Sequence, residues 1–259
     1  MKKFYFLLLA AVVAMTTDAS AQFVQSSATT NTAKANTTTS KAPDCSGENF
    51  YVGYNIVSLE WSHDQREGEK AYPLNSGITA GYNKRVSLNG SSLPLYVDYG
   101  ANFSYMFGSS EYTDVGYVTS GNYTFPIEDC KYKRSINLAS INVPLAVTTP
   151  FQVDNITILP YIGVNLRFNL FGERKSSVEV NYDGEYLSSS DTYNLFNKED
   201  MGDYPLGRFQ AGLNLGVNIE FEKYTVGIGY VNDFSPVYDV EGLLTATFSA
   251  TTISVGYKF

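Results

Sequence analysis

The sequence predicts an all-β fold, an antiparallel up-and-down transmembrane β-barrel of eight strands, and three observations support this fold class. The chain ends in a strand in which Ile253, Val255, Tyr257 and Phe259 alternate with small or polar residues. Aromatic residues make up 15% of the chain and charged residues only 17%, compared with roughly 25% charged residues in ordinary soluble domains. The connections between alternating segments are short and long in turn, which is typical of outer-membrane barrels.

The amino-terminus predicts export. Two lysines precede the apolar run Phe4–Met15, and small residues at Ala19-Ser20-Ala21 follow it, so residues 1–21 are predicted to be a signal peptide of the Sec type. The run is shorter than the roughly 18–20 residues of a membrane-spanning helix, and no later window is apolar enough. Strands must therefore carry the chain across a membrane. Residues 22–49, which begin with a stretch rich in Ser, Thr, Ala and Asn, are predicted to be a flexible periplasmic linker.

Residues 50–259 are predicted to form the barrel, because eight alternating segments recur there. Each is long enough for a tilted spanning strand of about 9–11 residues. In the clearest, aromatic and aliphatic residues share one face while Asp, Gly, Asn and Ser share the other. The predicted strands are Phe50–Trp61, Gly77–Val86, Leu93–Phe107, Arg134–Val147, Ile156–Phe171, Arg208–Phe221, Lys223–Asn232 and Phe248–Phe259. The fourth loses its alternation around Ala139-Ser140, which indicates a bulge.

The connections set the predicted orientation. Three are brief: Ser87–Ser92, Thr148–Asn155 and Glu222. Four are longer and predicted to be outer loops: residues 62–76, 108–133, 172–207 and 233–247. An even number of strands places both chain ends on the short-turn side, which is the periplasmic side.

Two loop segments carry hairpin signals of their own. Val178–Tyr186 contains Asp183-Gly184 between alternating flanks, and Val115–Phe125 is similar around Ser120-Gly121. We interpret both as strand extensions beyond the membrane. A barrel of ten strands is the alternative.

Charged residues on the polar faces are the candidate site in the barrel interior. They are Glu60, Asp98, Arg167, Glu220 and Lys258. Since buried charges are costly unless paired, Arg167 and Lys258 are expected to bond to carboxylates within a structural polar network. Eight strands leave an interior that side chains just fill, and a narrow conducting pore is the alternative.

The sequence predicts no catalytic residue, no cofactor and no metal site. The single histidine, His63, lies beside Asp64 in the first long loop, whereas zinc sites recruit several His or Cys ligands. A solvated loop histidine is the simplest interpretation. The alternative is a barrel enzyme that modifies lipid A, in which His63 would meet Asp114 or Ser109-Ser110.

Charge excludes nucleic acid as a partner and leaves weak cation binding by an outer loop as an alternative. The net charge of −8 excludes nucleic acid, whose phosphates require clustered Lys and Arg. The acidic loop 172–207 is predicted to carry solvated charges, with weak bridging by divalent cations as the alternative.

The two cysteines give conflicting indications. An even count in an exported chain favours a disulfide between Cys45 and Cys130. The predicted topology places them on opposite sides of the membrane, however, and a disulfide requires Cα atoms within about 7 Å. Either they do not bond to each other, or the strand count before Cys130 is wrong.

Residues 50–259 resemble the family of small outer-membrane β-barrel proteins that includes the OmpA-like, OmpX-like and PorT-like barrels. The likeness is carried by the signal peptide, the Tyr/Phe alternation and the terminal Gly256-Tyr257-Lys258-Phe259. It implies a bacterial outer-membrane location among lipid and lipopolysaccharide, and an insertion signal in Val255, Tyr257 and Phe259 for the barrel-assembly machinery. It also implies a non-enzymatic structural and surface-interaction role, in which the long loops contact an extracellular ligand or an envelope protein. The alternative is an accessory barrel of a secretion or envelope-assembly system, as PorT-like barrels are.

Overall fold

The computed structural model describes residues 44–61, 73–88, 94–120, 123–182, 185–201, 205–236, 238–240 and 244–259. Within these ranges the chain forms a short helical turn, Lys198–Met201, and eleven strands. They are β1 Gly47–Trp61, β2 Ser76–Ser87, β3 Tyr96–Ser120, β4 Tyr123–Thr148, β5 Phe151–Val153, β6 Ile156–Tyr182, β7 Glu185–Asn194, β8 Phe209–Phe221, β9 Tyr224–Asp233, β10 Tyr238–Val240 and β11 Leu244–Lys258. No helix in the described ranges is both long enough and apolar enough to span a bilayer. The predicted signal peptide and most of the predicted linker lie outside these residues.

Eight of the strands close into an antiparallel ring, which confirms the predicted fold class. Neighbours follow the order β1-β2-β3-β4-β6-β8-β9-β11, and β11 pairs back onto β1 from Asn49↔Lys258 to Trp61↔Ala246. The short strand β5 pairs with the start of β6 and forms a tight turn in which Asp154 has a φ of 53°. Glu222, with the same φ, forms the tight turn between β8 and β9. Since the ring holds eight strands, the ten-strand alternative is wrong.

Two predicted loops consist largely of strand. β3 and β4 pair with each other as far as Ser120↔Tyr123, and β6 continues to Tyr182, where β7 returns beside it. The upper parts of β3, β4 and β6 together with β7 form a four-stranded sheet beyond the ring, which we call the protruding sheet: residues 109–120, 123–135, 173–182 and 185–194. The signal in Val115–Phe125 thus marks the extension of two ring strands, whereas the signal in Val178–Tyr186 marks the extension of β6 and its pairing with β7, which is not a ring strand.

The irregularity predicted at Ala139-Ser140 lies at that pairing but on the neighbouring strand. Ala139 pairs with Phe171 and Ser140 with Asn169, so the extra residue is Leu170 of β6. The alternation of β4 is lost for a different reason. Near the long-loop end its apolar residues point into the ring, and nearer the short-turn end they point away from it.

The outward face of the ring is apolar and exposed on every ring strand. Large side chains there have relative exposures of about 40–60%, although the hydrophobic effect ordinarily buries such groups. They are Phe50, Val52, Tyr54, Ile56, Ile78, Tyr82, Tyr99, Phe103, Phe107, Ile141, Val143, Leu145, Val147, Ile162, Val164, Leu166, Phe168, Phe209, Leu213, Ile219, Phe221, Tyr224, Val226, Ile228, Ile253, Val255 and Tyr257. A water-soluble monomer rarely exposes an apolar surface of this extent.

The inward face is layered along the barrel axis. Charged residues lie at the short-turn end, and amide and hydroxyl side chains fill the middle. The long-loop end is closed by a cluster of buried apolar side chains, which we call the mouth core. It comprises Val57, Leu59, Leu74, Met106, Ile136, Leu138, Leu195, Leu206, Ala246, Phe248 and Ala250.

Candidate functional site

An ionic cluster joins four strands inside the short-turn end of the ring. Arg85 lies opposite Asp98 on the neighbouring strand. Its Nε and Nη2 donate to Oδ1 and Oδ2 of Asp98 at 2.7 and 3.1 Å, a bidentate geometry that strengthens the pair. Nη1 of Arg85 lies 2.6 Å from Glu220 Oε1, and Nζ of Lys258 lies 2.9 Å from Glu220 Oε2. Each charge therefore has a counter-charge, which offsets the cost of desolvation.

A second ion pair lies higher in the ring, against the mouth core. Nη1 of Arg167 lies 2.8 Å from Oδ2 of Asp233, and the two side chains are 4% and 0% exposed. Nε of Arg167 donates to Asn142 Oδ1 at 3.0 Å. Its guanidinium carbon lies 3.4 Å from the centroid of the Phe248 ring, in the arrangement of a cation–π contact.

The five charges selected from the sequence fall into three places. Asp98, Glu220 and Lys258 belong to the ionic cluster, and Arg167 forms the separate pair. Both expected cations thus bond to carboxylates inside the ring. The prediction for Glu60 is wrong: it lies on the outward face of β1, which it shares with Ile56, because the inward positions of this strand are Asn55, Val57 and Leu59. It accepts a hydrogen bond from the hydroxyl of a serine two residues earlier.

Two essential partners were missed in the sequence. Arg85 shares the polar face of its strand with Thr79 and Asn83, so its position in the predicted strand could have identified it. Asp233 is the last residue of β9 and lies just beyond the predicted strand end. A boundary prediction one residue longer would have placed it on the inward face.

A small polar cavity of about 120 Å³ occupies the middle of the ring. Asparagines dominate its lining, and Asn102 accepts hydrogen bonds from Thr79, Ser104 and Asn142. Ligand pockets typically measure about 300–1,000 Å³, so this space suits ordered water better than an organic ligand.

The described residues offer no metal site. In these ranges no group of three or more His, Cys, Asp and Glu residues could hold a metal ion. His63 and Asp64 lie outside the described residues, whereas Ser109 and Ser110 lie on β3 in the protruding sheet.

The terminal aromatic residues lie on the outside of the closing strand. Val255 and Tyr257 are outward and exposed, as is Phe259 just beyond β11. The Tyr257 ring packs edge-on against Tyr224 and Phe259, with centroids 6.0 and 5.5 Å apart. This aromatic group lies at the short-turn rim.

The two cysteines are buried at opposite ends of the barrel. Cys45 precedes β1 at the short-turn end, and its backbone N–H donates to the Tyr96 hydroxyl at 3.2 Å. Burial raises the pKa of the Cys45 thiol. Cys130 lies on β4 in the protruding sheet, opposite Asp114. The two cysteines thus lie at opposite ends, as the predicted topology places them: Cys45 on the short-turn side and Cys130 on the long-loop side.

The face of the protruding sheet that continues the inward face of the ring carries arginines stacked on aromatic rings. Tyr112 lies opposite Tyr132 with ring centroids 5.1 Å apart and planes 13° apart. Arg134 lies 5.6 Å from the Tyr112 centroid, and Arg174 lies 4.8 Å from the Tyr193 centroid. At the base of the sheet another arginine stacks on Phe196 at 4.3 Å. Such stacking holds a guanidinium in place while leaving its edge for an anion.

Comparison with known proteins gives similarity in structure only. No protein-family model matches the sequence, and no curated protein matches it. Solved structures similar to this chain include Ail, the attachment invasion locus protein of Yersinia pestis, at 12% identity over 82% of this chain and 99% of that one, with a TM-score of 0.34. A second Ail structure is a complex with the heparin analogue sucrose octasulfate. Neisserial surface protein A matches at 12% identity over 81% of this chain and 97% of that one, with a TM-score of 0.37. A major outer membrane protein of Thermus thermophilus matches at 13% identity over 82% and 99%, with a TM-score of 0.31. These structures are small outer-membrane β-barrels.

Proposed function

We propose that this protein is a non-enzymatic outer-membrane β-barrel that anchors in the bacterial envelope and presents the protruding sheet to the outside as an interaction surface. The observation that carries the proposal is the continuous apolar, exposed outward face of the ring around an interior of charged and amide side chains. A barrel in lipid needs this arrangement, because its backbone groups are satisfied within the closed ring and its outer side chains contact acyl chains.

The dimensions of the apolar face agree with a bilayer. On β6 the outward residues from Ile162 to Leu170 are all exposed. At about 3.3 Å per residue they span about 26 Å along the strand, or about 20 Å along the membrane normal at a tilt of about 40°. This is close to the roughly 25 Å apolar band of outer-membrane barrels.

The interior supports a structural role for the ring itself. The ionic cluster occupies the short-turn end and the mouth core occupies the long-loop end. The cavity between these two layers measures only about 120 Å³, which supports a filled interior rather than a conducting pore. We therefore assign interaction to the protruding sheet and anchoring to the ring.

The proposal also specifies which envelope components contact the barrel. Outer-leaflet lipopolysaccharide would contact the apolar face, and the barrel-assembly machinery would recognise the outward residues Val255, Tyr257 and Phe259. The aromatic group at the short-turn rim supports this, since interfacial aromatics mark the ends of such barrels.

A charge scan of the outward face tests the proposal. Val164→Arg places a charge at mid-height, where lipid contact is expected to cost about 2–4 kcal/mol of stability, whereas Tyr224→Arg at the rim is expected to cost about 0–1 kcal/mol. The measurement is urea unfolding of the purified protein in lipid vesicles, followed by the faster gel migration of the unboiled, folded form.

Membrane fractions supply the independent check. The protein should resist carbonate extraction, and protease added to intact cells should cleave within residues 172–207. If the protein washes off with carbonate and both arginine variants are as stable as the wild type, the outward face is bathed in water and the proposal is wrong, because exposed surface substitutions in water change stability by only about 0.5 kcal/mol.

A further inference from the structure

We propose that the axis-facing side of the protruding sheet binds a sugar that carries a single carboxylate, with Arg134 as the residue that recognises the carboxylate. This inference rests on the proposed function, since it requires the sheet to lie outside the cell. It adds the chemical class of the ligand and the residues that would hold it.

The strand register places three polar side chains in one row. Arg134 of β4 pairs with Ser176 of β6, and Ser176 pairs with Asp191 of β7. Directly opposed residues share a face of the sheet, and neighbouring strands lie about 4.8 Å apart. A guanidinium, a hydroxyl and a carboxylate therefore line about 10 Å of one surface. Arg134 and Asp191 are exposed.

Aromatic side chains border this row on both sides. Towards the tip of the sheet, Tyr112 lies opposite Tyr132, and towards the ring, Arg174 lies opposite Tyr193. Successive residues on one face of a strand are about 6.6 Å apart, so the two bordering rows are about 13 Å apart. This spacing fits one or two pyranose rings, whose C–H faces pack on aromatic rings while their hydroxyls bond to Ser and Asp side chains.

Arg134 has a guanidinium available for a ligand. It is held over Tyr112 at 5.6 Å. Its side chain forms no ion pair within 4.0 Å with a described residue, whereas the arginines in the ring interior do. A stacked, exposed guanidinium presents a planar set of donors that matches a carboxylate.

The charges around the row are mixed, and those on the opposite face balance. Asp191 accompanies Arg134 and Arg174 on the axis-facing side, whereas on the opposite face Glu111, Glu173 and Glu179 are matched by Lys131, Lys133 and Lys175. The whole chain carries a net charge of −8, which repels a polyanion. A sialic or uronic acid at the end of an otherwise neutral glycan avoids this repulsion and can use Asp191 as a hydroxyl acceptor.

Isothermal titration of the purified, folded barrel in detergent micelles tests the site. The probes are sialyllactose, a disaccharide with terminal glucuronic acid, neutral lactose and a sulfated heparin hexasaccharide. We expect at least one carboxylated sugar to bind at least tenfold more tightly than lactose and than the heparin fragment. Which of the two binds more tightly distinguishes a sialic from a uronic acid source.

Two substitutions locate the binding. Arg134→Gln is expected to weaken binding at least tenfold, and Tyr112→Ala is expected to weaken it several-fold. Lys175→Gln removes a cation from the opposite face of the same sheet and is expected to stay within twofold of the wild type. Gel migration before and after boiling shows that each variant is folded, and Tyr112→Ala serves if Arg134→Gln does not fold.

The proposal is overturned if neither carboxylated sugar binds, if the heparin fragment binds most tightly, or if folded Arg134→Gln binds as the wild type does. A folded, membrane-inserted barrel without sugar binding would reject this inference alone. Failure of the Val164→Arg test would reject the proposed function instead.

Discussion

Replacing Asp233 by asparagine should be among the most destabilising single changes in the interior of the ring. The substitution removes the counter-charge of Arg167 while preserving the shape of the side chain. Arg167 would keep its hydrogen bond to Asn142 and its contact with the Phe248 ring. Neither of those partners carries a charge, so the guanidinium would be left buried and uncompensated.

The magnitude follows from the burial of the pair. The side chains of Arg167 and Asp233 are 4% and 0% exposed, so solvent screening does not reduce the penalty. Breaking a buried pair by removing one partner costs about 3–5 kcal/mol, which is a fall of about two to nearly four orders of magnitude in the ratio of folded to unfolded protein. The double variant Arg167→Met/Asp233→Leu removes both charges and should recover most of this loss.

The assay is urea unfolding in vesicles, with the folded fraction measured by gel migration without boiling and extrapolated linearly to zero urea. Glu48→Gln is the matched control. It breaks the Lys84–Glu48 pair, 3.0 Å long with both side chains 42% exposed, and exposed pairs contribute only about 0–1 kcal/mol. The reasoning fails if Asp233→Asn is as stable as Glu48→Gln, or if the double variant is as unstable as the single one.

Further changes test other parts of the barrel. Glu220→Gln should destabilise the protein by about 3 kcal/mol, because both carboxylate oxygens bond to cations; an unchanged unfolding midpoint would contradict this. Gly216→Ala should lower stability by about 1–3 kcal/mol through overpacking, since an added Cβ would lie 2.5 Å from the Tyr161 hydroxyl; refolding yield and unfolding midpoint both report it. Phe259→Ala should leave refolding in detergent unchanged but reduce assembly into the outer membrane of cells. Assembly equal to that of the wild type would contradict the proposed insertion signal. Planar bilayers containing the wild-type protein should stay electrically silent, and reproducible single-channel steps would show an open path through the ring.

The ring could be predicted because period-two alternation is a property of each strand taken alone. In β8 the residues from Phe209 to Phe221 alternate without a break, and eight such segments define a closed ring once short and long connections are counted. Alternation does not identify which residues meet across the interior. Asp233 bonds to Arg167 although 66 residues separate them in the sequence, and this contact depends on the register of several strands.

The period-two alternation of the sequence could not predict the mouth core, and the reason is physical. Apolar residues such as Leu138 and Phe248 occupy inward positions near the long-loop end, where burial comes from the protein itself. Lower in the ring, apolar residues such as Ile141 occupy outward positions. A change of environment along one strand is indistinguishable in sequence from a change of register, which explains why the bulge was expected on β4 and lies on β6.

The protruding sheet was recognised as hairpins but its extent was underestimated. Outside the apolar belt both faces of β4 carry polar residues, as at Lys131 and Lys133 on one face and Arg134 on the other. The hydrophobic signal for a strand therefore disappears while the backbone pairing continues. The row of Arg134, Ser176 and Asp191 depends on this pairing, so it could not have been located from the sequence alone.

The pairing between β1 and β11 closes the ring, so the ring cannot form before β11 has been synthesised. Its pairs run from Asn49↔Lys258 to Trp61↔Ala246, so they join the first described strand of the chain to the last. Until β11 emerges, β1 has an unpaired edge whose N–H and C=O groups attract other strands. The entropic cost of closing so long a loop grows only logarithmically with its length, so the hazard is the waiting time before closure. The chain therefore depends on being kept apart from other strands until β11 is available to pair with β1.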